Sequence, residues 1–321
     1  MALFLVTGGC GFIGSHLAGA LVSGGHQVRV LDDLSAGSPD NLPPAATLVA
    51  GDVRDPDIVE RALEGVDGCF HLAAVVSVTR CQQEWDYAHQ VNLTGALNVL
   101  RRATGGREPV PVVYASSAAV YGDARELPAS EETPVRPINA YGADKAACEL
   151  HAGAIARATG ASLTGLRFFN VYGPGQDPAS VYAGVVSIFC ERLMKGETVD
   201  IYGDGRQTRD FIHVSDVVRA LLNAMQMAPA GSHVFNVCTG KAHSVTALAK
   251  CVAKVSGTRL EMRFHPGRTG DIEHSVGDPS HAAAGLKFRA RLPLSSGLRD
   301  LLATLDPPGN IDAPPSKIAA Q

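Results

Sequence analysis

The chain has 321 residues, of which 45% are hydrophobic, so it can bury a full core in one large domain or in two interleaved ones. Its formal net charge is −4 and its cationic residues form no stripe, which argues against nucleic-acid binding as its main task. The apolar N-terminus meets glycines after a few residues, which predicts a strand rather than a signal peptide, and no apolar run is long enough to span a membrane.

The seven cysteines are odd in number and scattered, and their spacing does not match that of metal ligands. Most of them lie in apolar stretches, which predicts buried free thiols in a reducing compartment. We therefore expect a cytoplasmic protein without a bound metal. The residues concerned are Cys10, Cys69, Cys81, Cys148, Cys190, Cys238 and Cys251.

The first segment predicts a strand, a tight turn and a helix. An apolar run from Leu3 breaks into glycines and is followed by a helical stretch, Ser15–Val22. The glycines allow the turn, let the backbone approach a pyrophosphate, and let the helix pack closely on the strand. Because the N-terminus of the helix then faces the anion, we expect a dinucleotide site formed by Gly8, Gly11, Phe12, Ile13 and Gly14.

The second predicted strand, Gln27–Leu31, ends in Asp32. A carboxylate at this place can accept both ribose hydroxyls of adenosine and would repel a 2′-phosphate, so the sequence favours NAD over NADP. Asp52 and Val53 follow the third strand and could receive the adenine edge. Both acids could instead be ordinary residues of strand-end turns.

Further strands alternate with helices, which predicts an α/β protein with a doubly wound parallel sheet. The predicted strands are Thr47–Ala50, Gly68–Leu72, Val110–Ala115 and Ser162–Arg167, and the predicted helices are Asp55–Leu63, Glu84–Arg102 and Ala140–Thr159. After Arg167 the segment 168–178 is rich in glycine, proline and aromatic residues, and we expect a substrate-facing loop there.

The C-terminal half predicts a smaller α/β domain. Its predicted helices are Val181–Lys195, Val214–Met227, Ser244–Ser256 and Ser295–Leu305, and its predicted strands are Val199–Tyr202 and His233–Val237, the second of which could return to the main sheet. We expect an NAD-binding domain over 1–166 with a return segment at 212–238. The substrate domain would then comprise 167–211 and 239–305, and the proline-rich segment 306–321 would be a disordered tail.

Tyr141 and Lys145 stand four residues apart on the predicted helix Ala140–Thr159. That spacing places the phenol and the ammonium on one face, where the positive charge favours the phenolate and allows proton exchange at neutral pH. The pair alone is weak evidence, because two such residues also occur on solvated helix faces. The glycine turn and the Ser116–Ser117 pair upstream strengthen the functional interpretation.

Several motifs occur in a fixed order along nearly the whole chain before residue 306. They are the glycine turn, His71–Ala74, Val91–Asn92, Ser116–Gly122, Tyr141 with Lys145, Leu166–Pro174 and Thr208–His213. With these motifs the chain resembles the extended short-chain dehydrogenases/reductases, in particular their nucleotide-sugar epimerase and dehydratase group. The resemblance implies a Rossmann-type fold.

The resemblance also implies roles for individual residues. Ser117 would bond to the sugar oxygen that reacts, Tyr141 would act as acid and base, and Lys145 would hold the nicotinamide ribose. Ser117 could instead be only a cap at the end of a strand. The segment after the fourth strand would contact the cofactor through Leu72, Ala73 and Ala74.

The residues after Ser117 distinguish between the reactions of this group. In the dehydratases that the chain resembles, an acidic pair follows the serine or threonine, whereas this chain has Ala118 and Ala119. Alanine cannot transfer a proton, so the implied reaction is oxidation and reduction at carbon 4 of a UDP-hexose, that is, 4-epimerisation. The alternatives are a UDP-glucuronate 4-epimerase, another nucleotide-sugar epimerase or dehydratase, and a non-catalytic NAD-binding regulator.

The resemblance implies a substrate site as well. Arg209 and Arg268 would bind the diphosphate, Asn170 the diphosphate or its ribose, and Asp271 the uridine ribose. Ser275 occupies the place of a gate beside carbon 2 of the sugar, where a small side chain would admit N-acetylated hexoses. Arg268 could instead be a surface arginine and Ser275 an ordinary strand serine.

The resemblance finally suggests a two-fold homodimer whose interface is a four-helix bundle of Glu84–Arg102 and Ala140–Thr159. These helices have apolar residues to spare: Val91, Leu93, Leu97, Val99, Leu100, Ala146, Ala147, Leu150, Ala154 and Ile155.

Overall fold

The computed structural model describes residues 1–176, 184–267 and 272–305. Its strands are β1 (Leu3–Thr7), β2 (Gln27–Asp32), β3 (Thr47–Ala50), β4 (Gly68–His71), β5 (Val112–Ser117), β6 (Ser162–Phe168), β7 (Asn170–Tyr172), β8 (Val199–Tyr202), β9 (Thr208–His213), β10 (Gly231–Val237), β11 (Ala242–Ser244), β12 (Met262–His265) and β13 (His274–Ser275). The predicted tail at 306–321 lies outside the described residues, as do Arg268 and Asp271.

The α-helices are α1 (Phe12–Ser23), α2 (Pro56–Leu63), α3 (Val78–Gln83), α4 (Trp85–His89), α5 (Ala96–Thr104), α6 (Ala140–Thr159), α7 (Val185–Met194), α8 (Val214–Met227), α9 (Val245–Ser256), α10 (Ser280–Gly285) and α11 (Leu294–Leu305). Short 3-10 helices cover Pro39–Asn41 and Ala118–Tyr121, and Gln90–Gly95 forms a π-helical turn.

The central sheet has seven strands in the order β10-β6-β5-β4-β1-β2-β3, and all of its pairings are parallel. The predicted doubly wound, Rossmann-type sheet is therefore confirmed. The strand order reverses between β1 and β4, so their carboxyl ends open a crevice of the kind that binds ligands in such sheets. β10 lies at one edge of this sheet, as expected for the predicted strand His233–Val237.

Each face of the sheet has its own apolar core. On one face Leu17 of α1 and Leu221 of α8 pack with Val30 and Phe70. On the other, Val59 of α2, Val99 of α5 and Ala152 of α6 pack with Leu5 of β1 and Leu163 of β6. Successive side chains of a central strand point to opposite faces of the sheet. Because helices cover both faces, the central strands are continuous apolar runs in the sequence.

The second part of the chain builds smaller sheets. β9 pairs with β11, β13 and β7, and β8 pairs with β12. Helices α7, α9 and α11 enclose a separate core that includes Phe189, Leu248 and Leu301. This region is the predicted smaller α/β part of the protein.

One expectation about local structure was wrong, and one predicted helix contains an irregular turn. The segment 168–178 was expected to be a loop, but β6 extends to Phe168 and Asn170–Tyr172 forms β7, whose residues pair with residues of β9 that lie 41 positions later. Residues 177 and 178 lie outside the described residues. The helix expected at Glu84–Arg102 is present, because α4, the π-helical turn and α5 follow one another without a gap from Trp85 to Thr104; the π-helical turn within it was not predicted. In that turn the buried Asn92 side chain bonds to both the N–H and the C=O of Val75, at 2.7 and 3.0 Å.

Of the ten apolar residues proposed for a dimer interface, four are buried within the chain. Val91, Val99, Leu100 and Ala146 are buried, whereas Leu150 is 77% exposed. All seven cysteines are free, and only Cys251 is not fully buried, which confirms the expectation of buried free thiols in all but one case. Within the described ranges, no helix combines the length and the apolar character needed to cross a membrane.

Candidate active site

The glycine turn lies between β1 and α1. Gly8 has φ +70°, and a Cβ there would come within 2.7 Å of Ala73 N, while a Cβ on Gly14 would lie 2.1 Å from Gly8 O. α1 begins at Phe12, and its N-cap residue, Gly11, has no side chain to cap it. Its first amides therefore remain available to an anion, and the turn fits the pyrophosphate of a dinucleotide.

Asp32 supports this turn from the end of β2. Its carboxylate accepts hydrogen bonds from Cys10 N and Leu34 N, both at 2.9 Å, and the residue is 8% exposed. Burial and the neighbouring Asp32 charge raise the pKa of the Cys10 thiol to about 11. Asp32 thus orders the glycine loop, and its position at the crevice fits a contact with the adenosine ribose.

Asp52 and Val53 were expected to receive the adenine edge, but both side chains are engaged within the protein. Arg54 holds the Asp52 carboxylate, with an Nη2–Oδ2 distance of 2.6 Å. Partial burial opposes the charge of Asp52, but the hydrogen bonds and charge of Arg54 outweigh it and keep the pKa of Asp52 below its usual range. The Val53 side chain is buried, and its carbonyl accepts a hydrogen bond from Asn98 Nδ2 at 3.0 Å.

The segment after β4 lies against the glycine turn. Leu72 N donates to Thr7 O at 3.0 Å, and Ala73 N donates to Thr7 Oγ1 at 3.3 Å. His71 is buried at the end of β4, where its Nδ1 lies 2.7 Å from Thr7 Oγ1. Burial and the charge of Lys145 lower the pKa of His71 to about 3, so its imidazole is neutral and belongs to the architecture of the crevice.

Helix α6 begins where its sequence predicts. Asn139 Oδ1 accepts a hydrogen bond from Gly142 N at 2.8 Å and caps the helix, which fixes its first turn. Lys145 is 3% exposed, donates from Nζ to Ala115 O at 2.9 Å, and lies 5.8 Å from the centre of the half-buried Tyr141 ring. The structure therefore brings the predicted phenol and ammonium together at the end of β5.

Ser117 is the last residue of β5. Its Oγ accepts a hydrogen bond from Ala119 N at 3.1 Å and so caps the 3-10 helix 118–121. Ser117 therefore does act as a cap at the end of a strand, which was the alternative considered for it. It does not exclude the chemical role, because accepting one hydrogen bond leaves the hydroxyl proton free for donation.

The predicted substrate residues that the structure describes lie on the small strands. Asn170 is exposed on β7 and pairs with Phe211 of β9, and Ser275 on β13 pairs with Arg209 of β9. Arg209 Nη1 donates to Thr208 O at 2.9 Å. These pairings bring three of the predicted residues to one sheet.

Ser275 also lies close to the residues that follow Ser117. It lines a cavity of about 10 Å³ together with Ala118, Tyr121 and Phe169. A cavity of that size holds about one water molecule. Ser275 therefore lies at the same small cavity as Ala118, the residue that follows Ser117.

Two further contacts were not anticipated from the sequence. His16 Nε2 lies 2.8 Å from Pro174 O and links α1 to the turn after β7. Tyr202, at the end of β8, is 38% exposed and stacks on His265 with ring centres 5.2 Å apart.

Fold and site together define a dinucleotide-binding α/β protein with a serine, a tyrosine and a lysine at the crevice of its sheet. The chain belongs to the NAD dependent epimerase/dehydratase family, whose model matches residues 4–238. Its cofactor is accordingly NAD, as predicted from Asp32.

Similar proteins agree with this assignment. UDP-glucose 4-epimerase of Mycolicibacterium smegmatis is 38% identical, over 92% of this chain and 95% of its own. The structure of UDP-glucose 4-epimerase from Thermotoga maritima with UDP-glucose has a TM-score of 0.90 and 36% identity, over 94% of this chain and 98% of its own. A UDP-N-acetylglucosamine 4-epimerase from Methanobrevibacter ruminantium, in complex with UDP-N-acetylmuramic acid, has a TM-score of 0.90 and 32% identity, over 95% and 98% of the two chains.

Proposed function

We propose that the protein is a UDP-hexose 4-epimerase that interconverts UDP-glucose and UDP-galactose, and also UDP-GlcNAc and UDP-GalNAc. The observation that carries this proposal is the buried Lys145 beside Tyr141 at the end of β5, where Ser117 is followed by two alanines. Without an acid or base at 118 and 119, the site is suited to a proton exchange at one hydroxyl rather than to the elimination of water.

Three side chains would carry the chemistry. Tyr141, as phenolate, takes the proton of the 4-hydroxyl, and the Ser117 hydroxyl bonds to the same oxygen. Lys145 stabilises the phenolate and holds the nicotinamide ribose. Bound NAD would supply the acceptor and donor of the hydride at carbon 4.

The remaining cofactor contacts follow the crevice between β1 and β4. The amides of the α1 N-terminus would bind the pyrophosphate, and Asp32 would bind the adenosine ribose. We assign the rest of the NAD site to Gly8, Gly11, Phe12, Ile13, Gly14, Asp52, Val53, Leu72, Ala73 and Ala74. Since Arg54 occupies the Asp52 carboxylate, we expect the backbone of 52–53 to make the adenine contact.

The substrate must be held firmly at one end and loosely at the other. A 4-keto sugar has to turn over to present its second face, so binding energy is best placed on the nucleotide diphosphate. Arg209, Arg268 and Asn170 would bind that diphosphate, and Asp271 the uridine ribose. The exposed ring of Tyr202 offers a stacking surface for the base.

Ser275 would set the width of the sugar site. Its hydroxymethyl side chain faces the same small cavity as Ala118, and a larger residue at this position would narrow the space beside carbon 2. The similarity to a UDP-N-acetylglucosamine 4-epimerase supports activity on the N-acetylated pair.

The wider context is also proposed. We infer an NAD-binding domain over 1–166 with 212–238, a substrate domain over 167–211 and 239–305, and a cytoplasmic homodimer that serves carbohydrate metabolism. Leu150 of α6 is 77% exposed and Trp85 of α4 is 56% exposed, which supports pairing through these helices.

Proton NMR of the reaction mixture tests the function. The protein is incubated in turn with UDP-glucose, UDP-GlcNAc and UDP-glucuronate, without added cofactor. We expect the 4-epimers of the first two sugars. A 4-keto-6-deoxy product would instead identify a dehydratase, turnover of UDP-glucuronate alone would identify a uronate epimerase, and no turnover at all would favour a regulator.

A further inference from the structure

Glu149 lies one helical turn beyond Lys145 on α6 and has no part in the chemistry proposed above. Its carboxylate accepts hydrogen bonds from Ser116 Oγ at 2.5 Å and from Arg167 Nε and Nη2 at 2.9 and 2.6 Å. The side chains of Glu149 and Arg167 are only 9% and 4% exposed. A buried, bidentate ion pair therefore joins α6 to the ends of β5 and β6, beside Ser117.

Arg167 also reaches the 3-10 helix that begins after Ser117. Its Nη1 donates to Tyr121 Oη at 2.9 Å, and Tyr121 Oη donates to Asn236 Oδ1 at 2.7 Å. Burial raises the pKa of Tyr121 to about 12, and the charge of Arg167 offsets only part of this effect. The phenol therefore stays protonated and serves as the donor in this chain of bonds.

Asn236 continues the path to the wall that carries Ser275. It is fully buried on β10, and its Nδ2 donates to Ala129 O at 2.9 Å. Ala129 N donates to Val276 O, also at 2.9 Å, and Val276 directly follows Ser275. Hydrogen bonds, together with the backbone of Ala129, thus link the residue before Ser117 to the residue after Ser275.

We call Ser116, Tyr121, Glu149, Arg167 and Asn236 the buried polar network. Stability alone does not account for it, because apolar residues of similar volume often stabilise a core as well as a buried ion pair does. What a fully bonded network adds is a fixed geometry, since each hydrogen bond has a defined donor, acceptor and direction. Ser116 directly precedes Ser117, and Tyr121 lines the same small cavity as Ser275, so the network adjoins both residues.

We propose that the buried polar network is a positioning device that couples the three reacting side chains to the strand that carries Ser275. The inference rests on the proposed function, because it assigns Ser117 and Ser275 to the two sides of one sugar. When the network is intact, the 3-10 helix after Ser117, the start of α6 and the segment 274–278 keep one relative placement.

Tyr121→Phe is the sharpest test, because it removes one hydroxyl and cuts the network between Arg167 and Asn236. Tyr114→Phe is the matched control. Its hydroxyl is also buried, and within the described part of the chain it has no hydrogen bond to any member of the buried polar network. Both variants delete the same atom from the interior, so a difference between them reports the network rather than the loss of a hydroxyl.

Amide hydrogen exchange of the purified holoenzyme is the first readout. In Tyr121→Phe we expect faster exchange both in peptides covering 117–122 and in peptides covering 274–278, with no such change in Tyr114→Phe. Faster exchange confined to 117–122 would overturn the coupling. This measurement does not depend on turnover, so it decides the inference even if the wild-type protein epimerises none of the sugars.

Steady-state kinetics with UDP-glucose is the second readout. We expect Tyr121→Phe to lower kcat about tenfold with KM within about twofold of wild type, because small displacements of reacting groups act on the reaction step more than on binding. A kcat equal to that of Tyr114→Phe would overturn the positioning role. The kcat values are also compared with each variant held at the same interval below its own melting temperature. If Tyr121→Phe and Tyr114→Phe then have equal kcat, the loss reflects lower stability and the positioning role is overturned.

Discussion

The proposed active site has two walls that are built in different ways. On one wall Tyr141 and Lys145 stand on a single capped helix, and Ser117 ends a strand in the middle of a seven-stranded sheet. On the other wall Asn170 and Ser275 lie on strands of three and two residues that pair with β9. The first wall is built on a long helix and an interior strand of the main sheet. The second is built on short strands that come from distant parts of the sequence.

This difference suggests a division of labour. Lys145 is buried and held by the backbone of β5, so the groups that move protons have little freedom to shift. Asn170, by contrast, is exposed. We therefore expect substitutions on the first wall to abolish turnover and substitutions on the second to change which sugar is accepted.

The largest effect is expected for Tyr141→Phe, which removes the acid and base of the first wall. We expect kcat to fall about 10³-fold, because general acid–base catalysis contributes on that order. The melting temperature and the content of bound NAD serve as controls and should stay at the wild-type level. Unchanged turnover would contradict the catalytic role of the first wall and would favour a non-catalytic NAD-binding protein.

Gly14→Ala tests the turn on which the first wall depends. Its Cβ would lie 2.1 Å from Gly8 O and 2.7 Å from Gly9 Cα, so the turn must open. We expect a loss of about 3 kcal/mol in the free energy of unfolding, together with loss of bound NAD. Urea unfolding and the NAD absorbance of the purified protein measure the two effects.

Gly19→Ala is the matched control for that variant. Gly19 belongs to the same helix, but a Cβ there would meet nothing within 4 Å. We expect it to stabilise the protein by about 0.5–1 kcal/mol and to keep NAD, because alanine is the better helix former. Equal losses in the two variants would contradict the close approach at Gly14.

Ser275→Tyr tests the second wall. A tyrosine at this place should narrow the space beside carbon 2, so we expect the ratio of kcat/KM for UDP-GlcNAc to that for UDP-glucose to fall about tenfold or more. Ser275→Ala, measured in parallel, should leave the ratio near that of wild type. If the ratio is the same in Ser275→Tyr, the width of the site is set elsewhere and Ser275 is only a strand residue.

The smallest effect is expected at the rim of the crevice, where Arg54 holds Asp52. The pKa of Asp52 is lowered in the folded protein, so the ion pair contributes stability above the unfolded pKa of about 4 and loses it as the pH falls through the folded value. Arg54→Met should cost less than about 1 kcal/mol at pH 7. Urea unfolding at pH 7 and pH 3 should show the difference shrinking in acid; a larger difference at pH 3 would refute this account.

The features that the sequence predicted well are those with local signals. The four-residue spacing of Tyr141 and Lys145 and the cap at Asn139 define the start of α6, and β3 and α8 have the predicted bounds. The glycine turn was recognisable because the strand before it and the helix after it give the glycines a context. In each case the residues that decide the structure are neighbours in the chain.

Tertiary structure decided what depends on distant partners. β7 was expected to be a loop, because three residues carry no strand pattern until β9 supplies their hydrogen bonds. In the same way, only the folded chain shows that Arg54 occupies the Asp52 carboxylate and that Asn92 bonds to Val75 in the π-helical turn. Spacing in a sequence specifies an element, but the meeting of two elements depends on contacts that no local pattern encodes.

The sequence by itself therefore determined the class of fold, the cofactor and the three side chains proposed to react, since periodicity, glycine turns and helical spacing act over a few residues. Only the tertiary structure revealed the placement of Ser275 beside Ala118 and the hydrogen bonds that lead from Glu149 to Asn236. Those contacts join residues tens of positions apart, and they form because burial in a shared core leaves polar groups with no other partners.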